Sequence, residues 1–299
     1  MDFKGGMILI PNMKFYVISI VAIFAALGIG IYIGFTLDTE SFIDEQKEDI
    51  AAKLEERFDF LTNENQELKL SLKEIEVEND NYKYFIDSTY EEIVKGRLNG
   101  TKIAIIETTD DYVYSGIGQI LETAGANVIN VTTINDRIMN EDMLQNIYNE
   151  LGRPTSANNL ISTSIEELTK SLIIGQETEL VEKLIEKDFV DIIGIINESI
   201  DYVIIAGGSV GEDKERLTLV DQVIVNTVKN MDKPLVGIEK LKSSYSYMEA
   251  YKSFRISTID NVDTPMGKVS LVLAMEGRPG HYGLKSTAEE LIPNLSLLY

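Results

Sequence analysis

The chain has 299 residues, with 49 acidic against 27 basic side chains and a formal net charge of −22. That balance argues against a nucleic-acid binder, which needs basic surface, and against adhesion to an anionic bilayer face. Cysteine is absent, which removes disulfides, thiolate metal centres and a cysteine nucleophile.

In chain order, a short N-terminal stretch (1–14) precedes Phe15–Leu37, twenty-three residues without a charge. About 20 apolar residues of helix cross a bilayer core, so this segment reads as a transmembrane helix. The bases Lys4 and Lys14 precede it, and the acids Asp38, Glu40, Asp44 and Glu45 follow before Lys47. The positive-inside rule then predicts a cytoplasmic N-terminus and an extracytoplasmic remainder. The apolar run is long for a signal peptide, and Phe35-Thr36-Leu37-Asp38 is a poor cleavage site, so an uncleaved anchor is expected. Ala22, Ala26, Gly30 and Gly34 fall four apart, a small-residue stripe suited to helix–helix packing.

Residues 38–99 read as a coiled-coil stalk. Position d takes Leu54, Leu61, Leu68, Ile75 and Tyr82; position a takes Ala51, Phe58, Asn65, Leu72, Asn79 and Ile86. Five heptads exceed the three or four that argue a coiled coil. Glu64 and Glu78 at g face Lys69 and Lys83 at e of a second chain, which predicts a parallel dimer. Asn65 and Asn79 at a would select its register.

Residues 100–299 read as one α/β domain. Lys102–Glu107, Asn127–Ile134, Asp201–Ala206, Pro234–Glu239 and Ile256–Ile259 are predicted strands. Tyr114–Ala124, Glu141–Leu151, two stretches within 165–195, Glu215–Asn230, Ser243–Phe254 and Pro265–Met275 are predicted helices. Alternation of the two predicts a three-layer α/β sandwich with a mainly parallel sheet of four or five strands.

Candidate chemistry is sparse. Gly207-Gly208-Ser209-Val210-Gly211 follows a strand, but it matches neither dinucleotide nor P-loop patterns, and a tight strand-to-helix turn is the simpler reading. Ser209 lacks a surrounding G-x-S-x-G, and the single histidine, His281, stands far along the chain, so a hydrolase triad has no motif behind it. No enzyme activity is expected. Asp260 and Asp263 are expected to bond neighbouring backbone and cap the helix beginning at Pro265. His281, in a glycine-rich loop, is the one weak metal-ligand candidate. Met139 and Met143 share a face if their helix extends far enough, though methionine there reads as core filling.

Several segments together resemble the MctB copper transport family. They are Phe15–Ser19 with Leu27-Gly28-Ile29-Gly30 and Ile33-Gly34, and Leu61, Glu64, Asn65 and Leu68 in the stalk. Near the C-terminus they are Ser257 through Asp260, Asn261, Val262, Asp263, Thr264, Pro265, Met266 and Gly267, then Leu271–Ala274. Gly280-His281-Tyr282-Gly283 and Leu291-Ile292-Pro293 complete the set. The resemblance implies copper homeostasis, with copper as the associated metal, and it includes SteB-like members, bitopic coiled-coil partners of an envelope or division factor. It supplies no metal-ligand set that maps residue by residue. One helix encloses no pore, and the domain lacks the alternating ten-residue strands of an outer-membrane barrel. The expectation is therefore a dimeric extracytoplasmic scaffold, self-associated and membrane-anchored, with regulation through a protein partner as the alternative.

Overall fold

The structure, a computed structural model, describes residues 13–114, 116–155 and 159–294, with backbone alone at 37–45. Lys4, Met1 and Met7 lie outside the described residues. The chain divides into two compact units between Asp80 and Asn81.

The first unit is made by helix α1 (Met13–Val94), whose last turns belong to the second. No proline or glycine occurs in it after Gly34, so no helix breaker ends it before Val94. Met13–Thr36 is the one described helix long and apolar enough to cross a membrane. The apolar side chains described in this unit are exposed, as a single chain requires when it offers no second surface to bury them.

The second unit carries a seven-stranded sheet in the order β3-β2-β1-β4-β5-β6-β7. Its strands are β1 (Lys102–Glu107), β2 (Asn127–Ile134), β3 (Val190–Gly194), β4 (Tyr202–Ala206), β5 (Leu235–Ile238), β6 (Ser257–Ile259) and β7 (His281–Tyr282). All neighbours pair in parallel except β3, which runs antiparallel to β2 at one edge.

The period-2 alternation of strands builds the layers. Ala104, Ile106, Val203 and Ile205 face one buried cluster, and Ile103, Ile105, Ile204 and Ala206 face another. The first cluster is covered by α3 (Glu141–Glu150), α4 (Leu160–Ile174), α5 (Glu179–Glu186), α7 (Gln222–Asn230) and α8 (Met248–Ser253). The second is covered by α2 (Ile117–Thr123), α9 (Pro265–Met275) and the end of α1. Val94 is fully buried there, and Arg97 donates from Nη1 to both carboxylate oxygens of Glu276 at 2.9 Å, tying the end of α1 to the end of α9.

The expected α/β class and mainly parallel sheet are present, but the expected strand count is too low. β3 lies inside the stretch read as helical over 165–195. Helix α5 ends where Asp188 takes a positive φ of 57°, and the β-branched run that follows is long enough only for a strand. β7 holds two residues inside a segment read as loop. Two helices start late. Gly116 takes a left-handed φ of 91°, which no continuing helix allows, so α2 begins at Ile117. Tyr245 pairs with Ser209 through reciprocal backbone bonds of 2.8 and 3.0 Å, and Tyr247 donates its N–H to Glu239, so α8 begins at Met248.

Gly207–Gly211 is not a tight turn either. Seven residues separate β4 from the short α6 (Lys214–Arg216), which passes through a π-helical turn (Leu217–Asp221) into α7. Met139 closes a 3-10 turn (Asp136–Met139), and Asn140 then caps α3, so Met139 and Met143 do not share a helix.

Candidate functional site

The C-terminal motif is assembled where β6 and β7 end. Asp260 is buried, and its two oxygens accept the backbone N–H groups of Leu284 and Lys285, each at 2.8 Å. Asp263 accepts from the N–H of Leu241 at 2.8 Å. Neither caps α9, contrary to the sequence expectation. Thr264 does so, its hydroxyl accepting from Gly267 N at 3.1 Å. The carboxylates instead bond backbone more than twenty residues away in sequence, which nothing local in the chain signals.

Two glycines are required by this packing. A Cβ on Gly267 would collide with the Asn261 carbonyl, and one on Gly283, at φ 141°, with the Asp260 carboxylate. Gly280 sits against the ring of Tyr282. Asn261 is fully buried, and its side-chain amide has no hydrogen-bond partner among the described residues.

His281 is half-buried on β7, its Nδ1 3.0 Å from Thr258 Oγ1. Burial, then the nearby Lys252 ammonium, push its pKa below the usual histidine value, with Glu289 opposing. Among the described residues no group of three or more His, Cys, Asp and Glu side chains is placed to hold a metal ion. Ser209 is buried, and its hydroxyl donates to the Gly211 carbonyl at 2.5 Å.

A second cluster, with no sequence motif, lies on the other face of the sheet. Arg216, 2% exposed, donates to the carbonyls of Thr108 and Ile134 and pairs with Asp136 at 2.8 Å. Asp221 is fully buried and accepts the Tyr251 hydroxyl at 2.5 Å. Burial raises its pKa to about 7, with Tyr251, Thr108 and Arg216 pulling the other way. Burial and the Asp221 charge raise Tyr251 in turn.

Open α/β sheets bind ligands outside the carboxyl ends of their strands. There, over β1 and β2, a cavity of about 930 Å³ opens beside α2. Glu107, Asp110, Asp136, Asp188 and Asp191 line it, against a single base, Arg137. They come from three separate parts of the chain, Glu107 with Asp110, Asp136, and Asp188 with Asp191, and the pairing of β1, β2 and β3 brings these together.

Along α1, the predicted a and d side chains Leu54, Phe58, Leu61, Leu68, Leu72 and Ile75 are all exposed, from 44 to 67%. Asn65, Asn79 and Tyr82 are exposed in the same row. Leu70, Val77 and Tyr84, also seven apart, form a second exposed row off that seam. Ala22, Ala26, Gly30 and Gly34 are exposed, and nothing lies within 4 Å of a Cβ placed on Gly30 or Gly34.

Among curated proteins none matches this chain. A family model does, over residues 10–293, and its description is copper transport outer membrane protein, MctB. The match takes in the apolar helix, the long helical segment and almost all of the α/β unit, and the chain therefore belongs to the MctB copper transport family.

Proposed function

We propose that this member of the copper transport family acts as a membrane-anchored dimeric scaffold, with its N-terminus cytoplasmic and its α/β unit extracytoplasmic, and is not a pore by itself. The exposed a and d row of α1 carries the reading. Leu54, Phe58, Leu61, Leu68, Leu72 and Ile75 leave a long apolar seam in water, and a parallel second copy buries it with its own a and d residues. The small-residue stripe at Ala22, Ala26, Gly30 and Gly34 allows the two membrane helices to approach closely. Copper contact, if direct, centres on His281, the chain's one imidazole.

The test is disulfide trapping. Leu61→Cys in membranes, on a chain otherwise without cysteine, is expected to crosslink to its twin under mild oxidation. Failure of Leu61→Cys and Leu68→Cys to crosslink, with a monomeric mass in solution, would overturn the dimer. The alternative, an envelope or division regulator working through a protein partner, is favoured by one observation, the acidic cavity over β1 and β2.

A further inference from the structure

The second face of the sheet is unevenly covered. Ile105, Val131 and Ile193 lie side by side across β1, β2 and β3. Ile105 is 3% exposed, Val131 is half-buried, and Ile193 is 75% exposed. The cause is α2, whose seven residues pack on β2, with no comparable packing on β3. On the opposite face, α5 packs on β3. The sheet therefore ends in a strand with one covered face, one bare apolar face and an unpaired backbone edge.

Natural edge strands are blunted by lysine, proline, bulges or a covering element. β3 reads Val-Asp-Ile-Ile-Gly: it has no lysine or proline, and its one charge is the exposed Asp191. On its bare face stand Asp191 and Ile193, two residues apart, opposite Thr133 and Val131 of β2. Val113, 65% exposed, lies at the rim of the same cavity.

We propose that β3 takes an extended basic segment of a partner protein as an added strand. The segment presents an aliphatic side chain beside Ile193 and a lysine or arginine, two residues along, beside Asp191. The mode is strand addition, in which backbone bonds give affinity and alternate side chains give specificity.

Charge selects the occupant. The cavity wall holds five carboxylates and one guanidinium. A second copy of this chain brings the same carboxylates and a net charge of −22, so like charges would meet. A metal ion is a poor fit, because among the described residues no group of three or more His, Cys, Asp and Glu side chains is placed to hold one. Glu107 accepts from Tyr114 and Thr133, Asp191 from Asn135, Asp136 pairs with Arg216 and Asp188 with Arg137. This inference rests on the scaffold reading in one respect, that the unit works by holding another protein. It does not depend on the coiled-coil seam.

The experiment uses the full chain in nanodiscs and a fluorescein-labelled octapeptide, Thr-Val-Thr-Lys-Thr-Val-Thr-Lys, which sets valine and lysine two residues apart on one face, read by fluorescence anisotropy. Saturable binding that falls at least about tenfold for Ile193→Lys, and that the same peptide with alternate backbone N-methylation loses, is expected. Asp191→Lys is expected to reject the lysine peptide and accept one with glutamate in place of lysine, a rescue that general damage to the fold does not produce. Ile193→Lys changes an exposed side chain, so a folded protein is retained if Asp191→Lys fails to fold. Equal binding of lysine and glutamate peptides to the wild type, or no effect of Ile193→Lys, would overturn the proposal. So would displacement of the peptide by stoichiometric copper chloride, or an Ile193→Lys chain whose native mass halves. Crosslinking at Leu61→Cys with no peptide binding would sink this inference and leave the scaffold standing.

Discussion

The buried carboxyl of Asp221 gives this fold a pH dependence of unusual sign. Its ordinary value of 3.8 is raised to about 7 in the folded state. Between those values the folded chain holds a proton that the unfolded chain has released. The stability contributed is therefore full below 3.8, falls as pH rises, and levels off above about 7. The interval is worth about 4 kcal/mol, at roughly 1.4 kcal/mol per pH unit. Asp221→Asn keeps an acceptor for the Tyr251 hydroxyl and cannot ionise. In urea titrations of the unit 81–299 from about pH 4 to about pH 8, the wild type should lose up to about 4 kcal/mol that the variant retains. His281 acts in the opposite direction, since a lowered histidine pKa costs stability as pH falls below 6.5. The difference between the two curves removes that background. Parallel curves for wild type and Asp221→Asn would show that this carboxyl is already ionised in the folded state.

Arg97→Ala leaves the half-buried Glu276 carboxylate without its bidentate partner. It should cost about 1–3 kcal/mol in chemical denaturation, with hydrogen exchange rising first in residues 86–94. Gly267→Ala forces a methyl group into the Asn261 carbonyl and should destabilise by about 1–3 kcal/mol in a thermal melt, whereas Gly211→Ala, with open space around it, should be nearly silent. Replacing Asn65 and Asn79 with Ile should raise the melting temperature of the helical segment and broaden its oligomer distribution by native mass spectrometry. Titration of the full chain with Cu(II) against a chelator should give weak binding that His281→Ala abolishes; a tight stoichiometric site surviving that change would refute the ligand argument.

What was legible in the sequence is what local pattern encodes. The uncharged run at Phe15–Leu37 and the helix through Ile86 follow from composition and periodicity. So do β1, β2, β4 and β5, whose β-branched runs are bounded by turns. β3 was hidden because Val190–Gly194 is too short for alternation to separate from the end of α5, and its identity is set by pairing with β2. The roles of Asp260 and Asp263 were misread for a related reason. A carboxylate before a proline-initiated helix has a local use as a cap, but here it serves backbone brought in by β7 and β5. The Asp221 network carries no motif at all, since only folding brings Arg216, Asp221 and Tyr251 together. The cavity over β1 and β2 depends on three strands drawn from widely separated parts of the chain.

The π-helical turn at Leu217–Asp221 sets a constraint on chain length. Side chains five apart on an α-helix point about 140° away from one another, so Arg216 and Asp221 would otherwise lie on nearly opposite sides. The wider turn, closed by the Gln222 N–H on the Leu217 carbonyl, carries one extra residue and brings both inward. Deleting the exposed Thr218 closes the wider turn to an ordinary α-helical one and leaves Ile224, Val225 and Val228 in phase with Arg216, whereas straightening the turn with every residue kept rotates them by about 100°. A one-residue deletion is thus absorbed here by loss of the wider turn, while the same deletion within α7 sets the guanidinium's buried partners against the apolar face that follows.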